Sequence, residues 1–363
     1  MKNFSRLCVF LLAGFAAAAH AGDVRALLDS ADGSSSFVVA DSATNTLLRV
    51  GSSGVAISGG RANTADGTLS SIGGGQSNRV SATYGRIGGG AFNVVEGYGG
   101  VIGGGGGFDS LVTNTVGNIV YADFGVVAGG VGNLAASNAY YAVVGGGYYN
   151  AAGGVGSVVA GGAVNTAYGD YASVPGGIDC HATGDYSLAA GRGSIATNLG
   201  AFVWADATPA YFRSSRDNEF RVRAAGGVFF YSDAGATVGV RLAPGGNGWS
   251  AVSDRNLKEN FATVDGDDLL EKLAALPVES WNMRTQSPDI RHLGPTAQDF
   301  KAAFGLGESD DHISYSDADG VALAAIQALT KRLESTEARL QSALDEIERL
   351  KTQSAPPTAP ATP

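Results

Sequence analysis

A serine and a lysine lie five positions apart in the run Ser253-Asp254-Arg255-Asn256-Leu257-Lys258-Glu259-Asn260. Together they could supply a nucleophile and its base. A serine Oγ is a poor nucleophile until a base takes its proton. A lysine is such a base only when desolvation or a cationic neighbour lowers its pKa toward neutrality. Asp254 and Glu259 act in the opposite sense, so burial would have to dominate. An offset of five does not share a helix face, which favours offsets of three and four. Ser253 is therefore expected in a turn or cap, with N–H groups of a following helix available to a developing oxyanion. Spacing alone favours a plainer arrangement, in which Ser253 or Asp254 is an N-cap and Lys258 a solvated side chain.

Other candidates are weaker. Asp170, Asp179 and Asp185 could form a glycosidase pair, but read better as exposed turn residues. The run from Gly104 to Val112 fits one calcium-binding nonapeptide, and calcium rolls need several stacked copies. No metal and no cofactor is expected.

The elements around residue 253 differ on its two sides. From Ile57 a unit recurs: an apolar residue, a glycine cluster, then an asparagine. It runs as Ile57-Ser58-Gly59-Gly60-Arg61-Ala62-Asn63, then Ile72 to Asn78 and Ile87 to Asn93. A fourth copy from Ile102 has Phe108 where asparagine belongs. The repeat resumes at Val127 to Asn133, Val144 to Asn150 and Val159 to Asn165, with a degenerate copy at Val174 to Cys180. So short a period predicts a β-solenoid with Ile and Val inward, glycine at corners and asparagine amides stacked from rung to rung. About nine rungs at roughly 4.8 Å would make a rod of about 40 Å. The 55 glycines are not in collagen triplets, and 44% hydrophobic content argues against wholesale disorder.

After the repeat come aromatic strand-like runs, Phe202-Val203-Trp204, Phe220-Arg221-Val222-Arg223 and Val228-Phe229-Phe230-Tyr231. They predict a compact β neck. Leu269, Leu270, Leu273 and Leu276 share a helix face stopped by Pro277. Further on, Ile326, Leu333, Leu340 and Ile347 fall at heptad position a, with Leu329, Thr336, Ala343 and Leu350 at d. That pattern predicts a parallel coiled coil of roughly four heptads.

The start reads as a secretory signal: basic Lys2 and Arg6, an apolar run from Leu7 to Ala19, and Ala19-His20-Ala21 as a cleavage site. The expected organisation is signal peptide 1–21, an N-terminal β segment 22–56, solenoid head 57–199 and β neck 200–250. An auto-processing domain 251–320, a coiled coil 321–351 and a solvated tail 352–363 follow. A net charge of −10 makes an exported chain a poor candidate for binding nucleic acid or anionic membranes, and no nucleic-acid partner is expected. No membrane-spanning segment is expected in the mature chain. Cys180 is then the single mature cysteine, read as a small buried apolar residue.

Residues 251 to about 350 resemble the intramolecular chaperone domain at the C-termini of phage endosialidases and other tail spikes. The resemblance rests on five motifs in order: Ser253 to Lys258, Leu276-Pro277-Val278-Glu279-Ser280-Trp281-Asn282, His292-Leu293-Gly294-Pro295-Thr296-Ala297-Gln298, Ile313-Ser314-Tyr315-Ser316 and Ala324-Ala325-Ile326-Gln327-Ala328-Leu329. It implies a homotrimer, Ser253 as nucleophile, Lys258 as general base and a cut between Val252 and Ser253. It also implies that His292 supports the site, with Asp254 a second supporting candidate.

The repeat resembles the head of trimeric autotransporter adhesins, through Asn63-Thr64-Ala65-Asp66-Gly67 and Asn165-Thr166-Ala167-Tyr168-Gly169. That family's roll is left-handed and parallel; the longer unit with triple glycine here leaves handedness and cross-section open. The expected fold class is thus mainly β with an α C-terminus: a trimeric parallel β-roll or β-solenoid head, a small β neck, and a helical chaperone domain with a trimeric coiled coil. The expected function is an exported fibre, periplasmic, cell-surface or extracellular, that trimerises through its C-terminal domain and cleaves itself there. The alternatives are an uncleaved surface adhesin with a permanent stalk and a polysaccharide-acting solenoid enzyme. A surface glycan or a protein is the expected class of ligand.

Overall fold

The computed structural model describes residues 36–40, 46–51, 53–109 and 114–354. The signal peptide 1–21 and most of the tail 352–363 fall outside the described residues. Two compact units divide at Gly227 and Val228.

The first unit is a β-solenoid of about 11 turns. Each turn contributes one short strand to each of two parallel sheets. In one sheet, Ala56–Ile57, Ser71–Ile72, Arg86–Ile87 and Val101–Ile102 stack in register. In the other, Thr64–Ala65, Arg79–Val80 and Val94–Val95 do the same. Each strand is only two residues long, and its second residue is the one that points inward. Ile57, Ile72, Ile87 and Ile102 face inward from one sheet and Val80, Val95 and Val120 from the other; all are at most 1% exposed. In later turns the inward pairs shrink to Val127 with Ala135, Val144 with Ala152, and Val159 with Ala167. The interior is therefore narrower in these turns than in those holding Ile72 with Val80, Ile87 with Val95 and Ile102 with Val120.

The asparagines form a continuous ladder. The backbone N–H of Asn93 donates to Oδ1 of Asn78 at 3.1 Å, and its Nδ2 donates to the carbonyls of Gly89 and Gly105. The same set recurs at Asn78, Asn133 and Asn150. Each buried amide is thus satisfied by its own turn and its neighbours. The third glycine of the cluster is required twice over. Gly75 has φ +92, and a Cβ there would lie 1.9 Å from the carbonyl of Gly90.

Three features depart from the sequence expectation. The fourth copy does have its asparagine: Asn118, whose N–H bonds Asn93 Oδ1 at 2.9 Å. The segment holding Phe108 leaves the coil as an antiparallel hairpin, Gly107–Asp109 with Asn114–Val116. Cys180 is buried as expected but sits in the ladder, its N–H on Asn165 Oδ1 and its Sγ 3.2 Å from the carbonyl of Gly191. Finally, parallel stacking continues past residue 199. Phe202–Ala205 pairs with Leu188–Arg192 and with Phe220–Arg223, so those two aromatic runs are strands of the coil rather than of a neck. At the other end Ser36–Ala40 pairs antiparallel with Thr46–Gly51, which pairs antiparallel with Ala56–Ile57.

The second unit begins with a three-stranded antiparallel sheet, Val228–Tyr231, Gly239–Leu242 and Trp249–Ala251. Helix α1 (Gly266–Ala275) is capped by Asp265, whose carboxylate accepts from the N–H groups of Asp267 and Asp268. A two-stranded hairpin, Glu279–Trp281 with His292–Gly294, follows. Helix α2 (Ala297–Phe304) is capped by Thr296 and ended by Gly305 at φ +67. Helix α3 (Tyr315–Ser354) is one continuous 40-residue helix. Leu269 of α1, Phe300 of α2, and Val321 and Ala325 of α3 are buried. Beyond Ala325 the heptad positions of α3 are exposed. No helix among the described residues is long and apolar enough to cross a membrane.

Candidate active site

The structure brings Ser253 and Lys258 together. Lys258 Nζ donates to Ser253 Oγ at 2.6 Å. The five-residue offset closes because the chain between them makes a single 3-10 turn, Arg255–Leu257. Asp254 caps that turn, accepting from the N–H of Asn256 at 2.9 Å and from its Nδ2 at 3.1 Å. The Arg255 guanidinium lies 4.5 Å from the Phe261 ring centroid and closes the loop from the other side. On the upstream side, the N–H of Val252 bonds the carbonyl of Gly239, so the sheet holds that residue. The Val252–Ser253 peptide bond therefore joins a strand end to a capped turn.

The surroundings of the pair differ from the expectation in one respect. No long helix starts at Ser253; α1 begins only at Gly266. The N–H of Asn256 is taken by Asp254, so it is not available to an oxyanion. His292 has other partners: its Nε2 lies 2.9 Å from Gln286 Oε1 and its ring 4.8 Å from that of Trp281. It fastens the hairpin, along with the bond from Trp281 Nε1 to the carbonyl of Gly294. Ser253, Lys258, Val252, Leu257 and Phe261 are all exposed in the single chain.

The carboxylates weighed as a glycosidase pair have structural partners. Asp170 Oδ1 accepts the N–H of Val155, and Asp185 Oδ1 accepts the N–H of Asp170, each tying one turn to the next. Asp179 takes part in a polar chain that sequence reasoning missed. Tyr211 Oη donates to Asp179 Oδ2 at 2.8 Å, His181 Nε2 lies 2.9 Å from Asp179 Oδ1, and His181 Nδ1 lies 2.7 Å from Thr166 Oγ1. The hydrogen bond to Asp179 raises the Tyr211 phenol above its ordinary value. The only signal in the sequence was the register that sets Thr166 opposite His181. Asp109, in the calcium-like nonapeptide, hydrogen bonds Tyr148; burial first, and then that bond, raises the Tyr148 phenol. No cluster of three or more His, Cys, Asp or Glu among the described residues is placed to hold a metal ion.

A family model described as chaperone of endosialidase matches residues 253–305. The match begins at the serine of the Ser253–Lys258 contact and runs through α1, the hairpin and α2. No curated protein matches the chain. The C-terminal unit thus contains a segment similar to the chaperone of endosialidase, and the β-solenoid that precedes it in the sequence is consistent with a tail-fibre-like head.

Proposed function

We propose that this chain is an exported homotrimeric fibre whose C-terminal unit assembles three copies and then cuts itself away at Val252–Ser253. The observation that carries the reading is the 2.6 Å contact between Lys258 Nζ and Ser253 Oγ at the first residue of the matched segment. In the reaction, a neutral Lys258 amine takes the Ser253 Oγ proton. The Oγ attacks the Val252 carbonyl carbon, and the amide nitrogen of Ser253 leaves with a proton. Water then hydrolyses the resulting ester to a Val252 carboxylate and a free Ser253 hydroxyl. A lysine needs removal from water to act as a base.

Trimerisation supplies that step in this reading. Ile326 and Leu333 on α3 are 61% and 59% exposed, and Leu340, Ile347 and Leu350 continue the same seam. An apolar seam of this kind is covered by helices of further copies. The N-terminal segment 1–21 serves as the export signal, and the cut head is kinetically trapped once its nucleator is gone.

A second reading, a permanent surface adhesin with an uncut stalk, is favoured by the exposure of both Ser253 and Lys258. The test is expression of the chain beside Ser253→Ala, read by intact mass and sedimentation. A fragment beginning at Ser253 in the parent and absent from the variant supports self-cleavage. Full-length chains in both, from folded trimers, leave the adhesin. A folded monomer sinks the trimer.

A further inference from the structure

One corner of the solenoid carries bulky side chains on a left-handed backbone. Leu69, Tyr84, Phe124, Tyr141, Tyr171 and Tyr186 occupy equivalent positions with φ between +56 and +64. Such a conformation is costly for a bulky residue and free for glycine. The fold accepts glycine there, because Gly99 and Gly156 hold the same corner in other turns. The side chains at this corner are also exposed, 46% at Tyr84 and 64% at Tyr186. They add nothing to the interior, which Ile, Val and Ala fill.

The rings form a ridge. Tyr84 meets Tyr98, Tyr98 meets Phe124, and Phe124 meets Tyr141, at centroid distances of 5.4, 5.4 and 5.5 Å. Tyr171 and Tyr186 stack at 5.5 Å. Each ring leans over the preceding turn: a Cβ at Gly99 would lie 3.1 Å from the Phe124 ring, and one at Gly156 3.0 Å from that of Tyr171. Stacking recovers about as much as the left-handed backbone costs, so the ridge gives the coil no net stability. Strain kept without structural return points outward, to a ligand.

The chemistry beside the ridge narrows that ligand. Asp123, Asp170 and Asp185 precede the aromatic residues, each with Oδ1 on a backbone N–H of the previous turn. A lane of carboxylates repels polyanions and accepts hydroxyl donors. Tyrosine adds rigid amphipathic contact at low entropic cost. The corners from Leu69 to Tyr186 span about 34 Å, seven steps of roughly 4.8 Å. A hexose in an extended glycan advances by about one such step.

We infer that this ridge binds a neutral, extended polysaccharide lying along the solenoid axis, one sugar to about one turn. This names a ligand class for the head and rests on the head being the outward part of the exported fibre. Binding and cleavage are read on the same sample, so one can fail without the other.

The full chain is titrated with cellohexaose and chitohexaose, with an alginate hexamer as the polyanion, by calorimetry. The comparison protein carries Tyr84→Gly, Tyr171→Gly and Tyr186→Gly, which remove rings while relieving the left-handed backbone, so its Tm should hold or rise. The expected result is binding of a neutral hexamer, no binding of alginate, and a loss of at least about tenfold in the variant. Three results would overturn the inference: no neutral hexamer bound by the parent, equal binding by the variant, or loss of oligomeric state in the variant. The last would make the ridge a contact between copies.

Discussion

In the solenoid, the inward Ile and Val side chains are covered by the chain's own neighbouring turns. In the C-terminal unit, α3 holds its leucines and isoleucines out in solvent. The three-stranded sheet at the start of that unit does the same with Phe229, Phe230 and Trp249. The difference is one of where each region finds its partners. A turn of the coil is satisfied by the turns before and after it, as in other stacked repeats. The C-terminal unit, taken by itself, leaves apolar side chains of α3 and of its sheet exposed, and the same unit holds the Ser253–Lys258 contact.

The largest test of that contrast is on α3. Leu333→Asp with Leu340→Asp should abolish trimer formation, seen as a monomer in sedimentation, while the β signal of the coil in circular dichroism stays. A trimer that survives would show that the seam is not the assembly surface. Next is the ladder. Asn133→Ala strips partners from the carbonyls of Gly129 and Gly147 and from the N–H of Asn150, all within the stack. A loss of about 2–4 kcal/mol is expected from the Gly129 carbonyl and the Asn150 N–H left unpaired, the Gly147 carbonyl keeping the N–H of Val131, measured by denaturant unfolding. A loss no larger than that of an exposed alanine substitution would remove the ladder as the coil's main polar support.

A smaller effect is expected from pH at the last turns of the coil. Asp206 accepts the N–H of Ala225 at 2.7 Å, and this bond first, then Thr208, holds its carboxyl well below the usual range. The N–H of Ser215 does the same for Glu219 at 2.7 Å. Both folded values lie below the unfolded ones. Their stabilisation is therefore complete above about pH 4 to 5 and is lost as pH falls further. Thermal melts should show a decline below about pH 4 that is shallower in Asp206→Asn. The smallest change is at the other left-handed corner, where exposed Val164 has φ +58. Val164→Asn should raise stability by about 0.5–1 kcal/mol, because asparagine tolerates that backbone.

The coil was legible in the sequence wherever one turn followed another at 15 residues, since register alone fixes inward Ile, glycine corner and asparagine. It became illegible where spacing broke. The excursion through Phe108 put Asn118 25 positions after Asn93 and hid the ladder's continuity. The ladder was hidden again where Cys180 and Ser194 take asparagine's place, Ser194 Oγ lying 3.2 Å from Cys180 Sγ. The turns carrying Phe202 and Phe220 went unread because aromatic side chains and longer loops replace the motif. At the site, the Ser253–Lys258 pairing was legible through the resemblance of residues 251 to about 350, since spacing alone favoured a cap and a solvated lysine; the closing 3-10 turn depends on Asp254 reaching Asn256. The place of His292 was not readable, because its partners Gln286 and Trp281 come together only when the hairpin forms.

Among the asparagines of the ladder, each bonds the one before and the one after, and the hairpin of Gly107–Asp109 with Asn114–Val116 shows that a turn can be interrupted without breaking that exchange. Duplicating one 15-residue unit would lengthen the rod by one step and require no new chemistry anywhere else. Length in this molecule is a heritable quantity that can be changed in whole units, like beads added to a string.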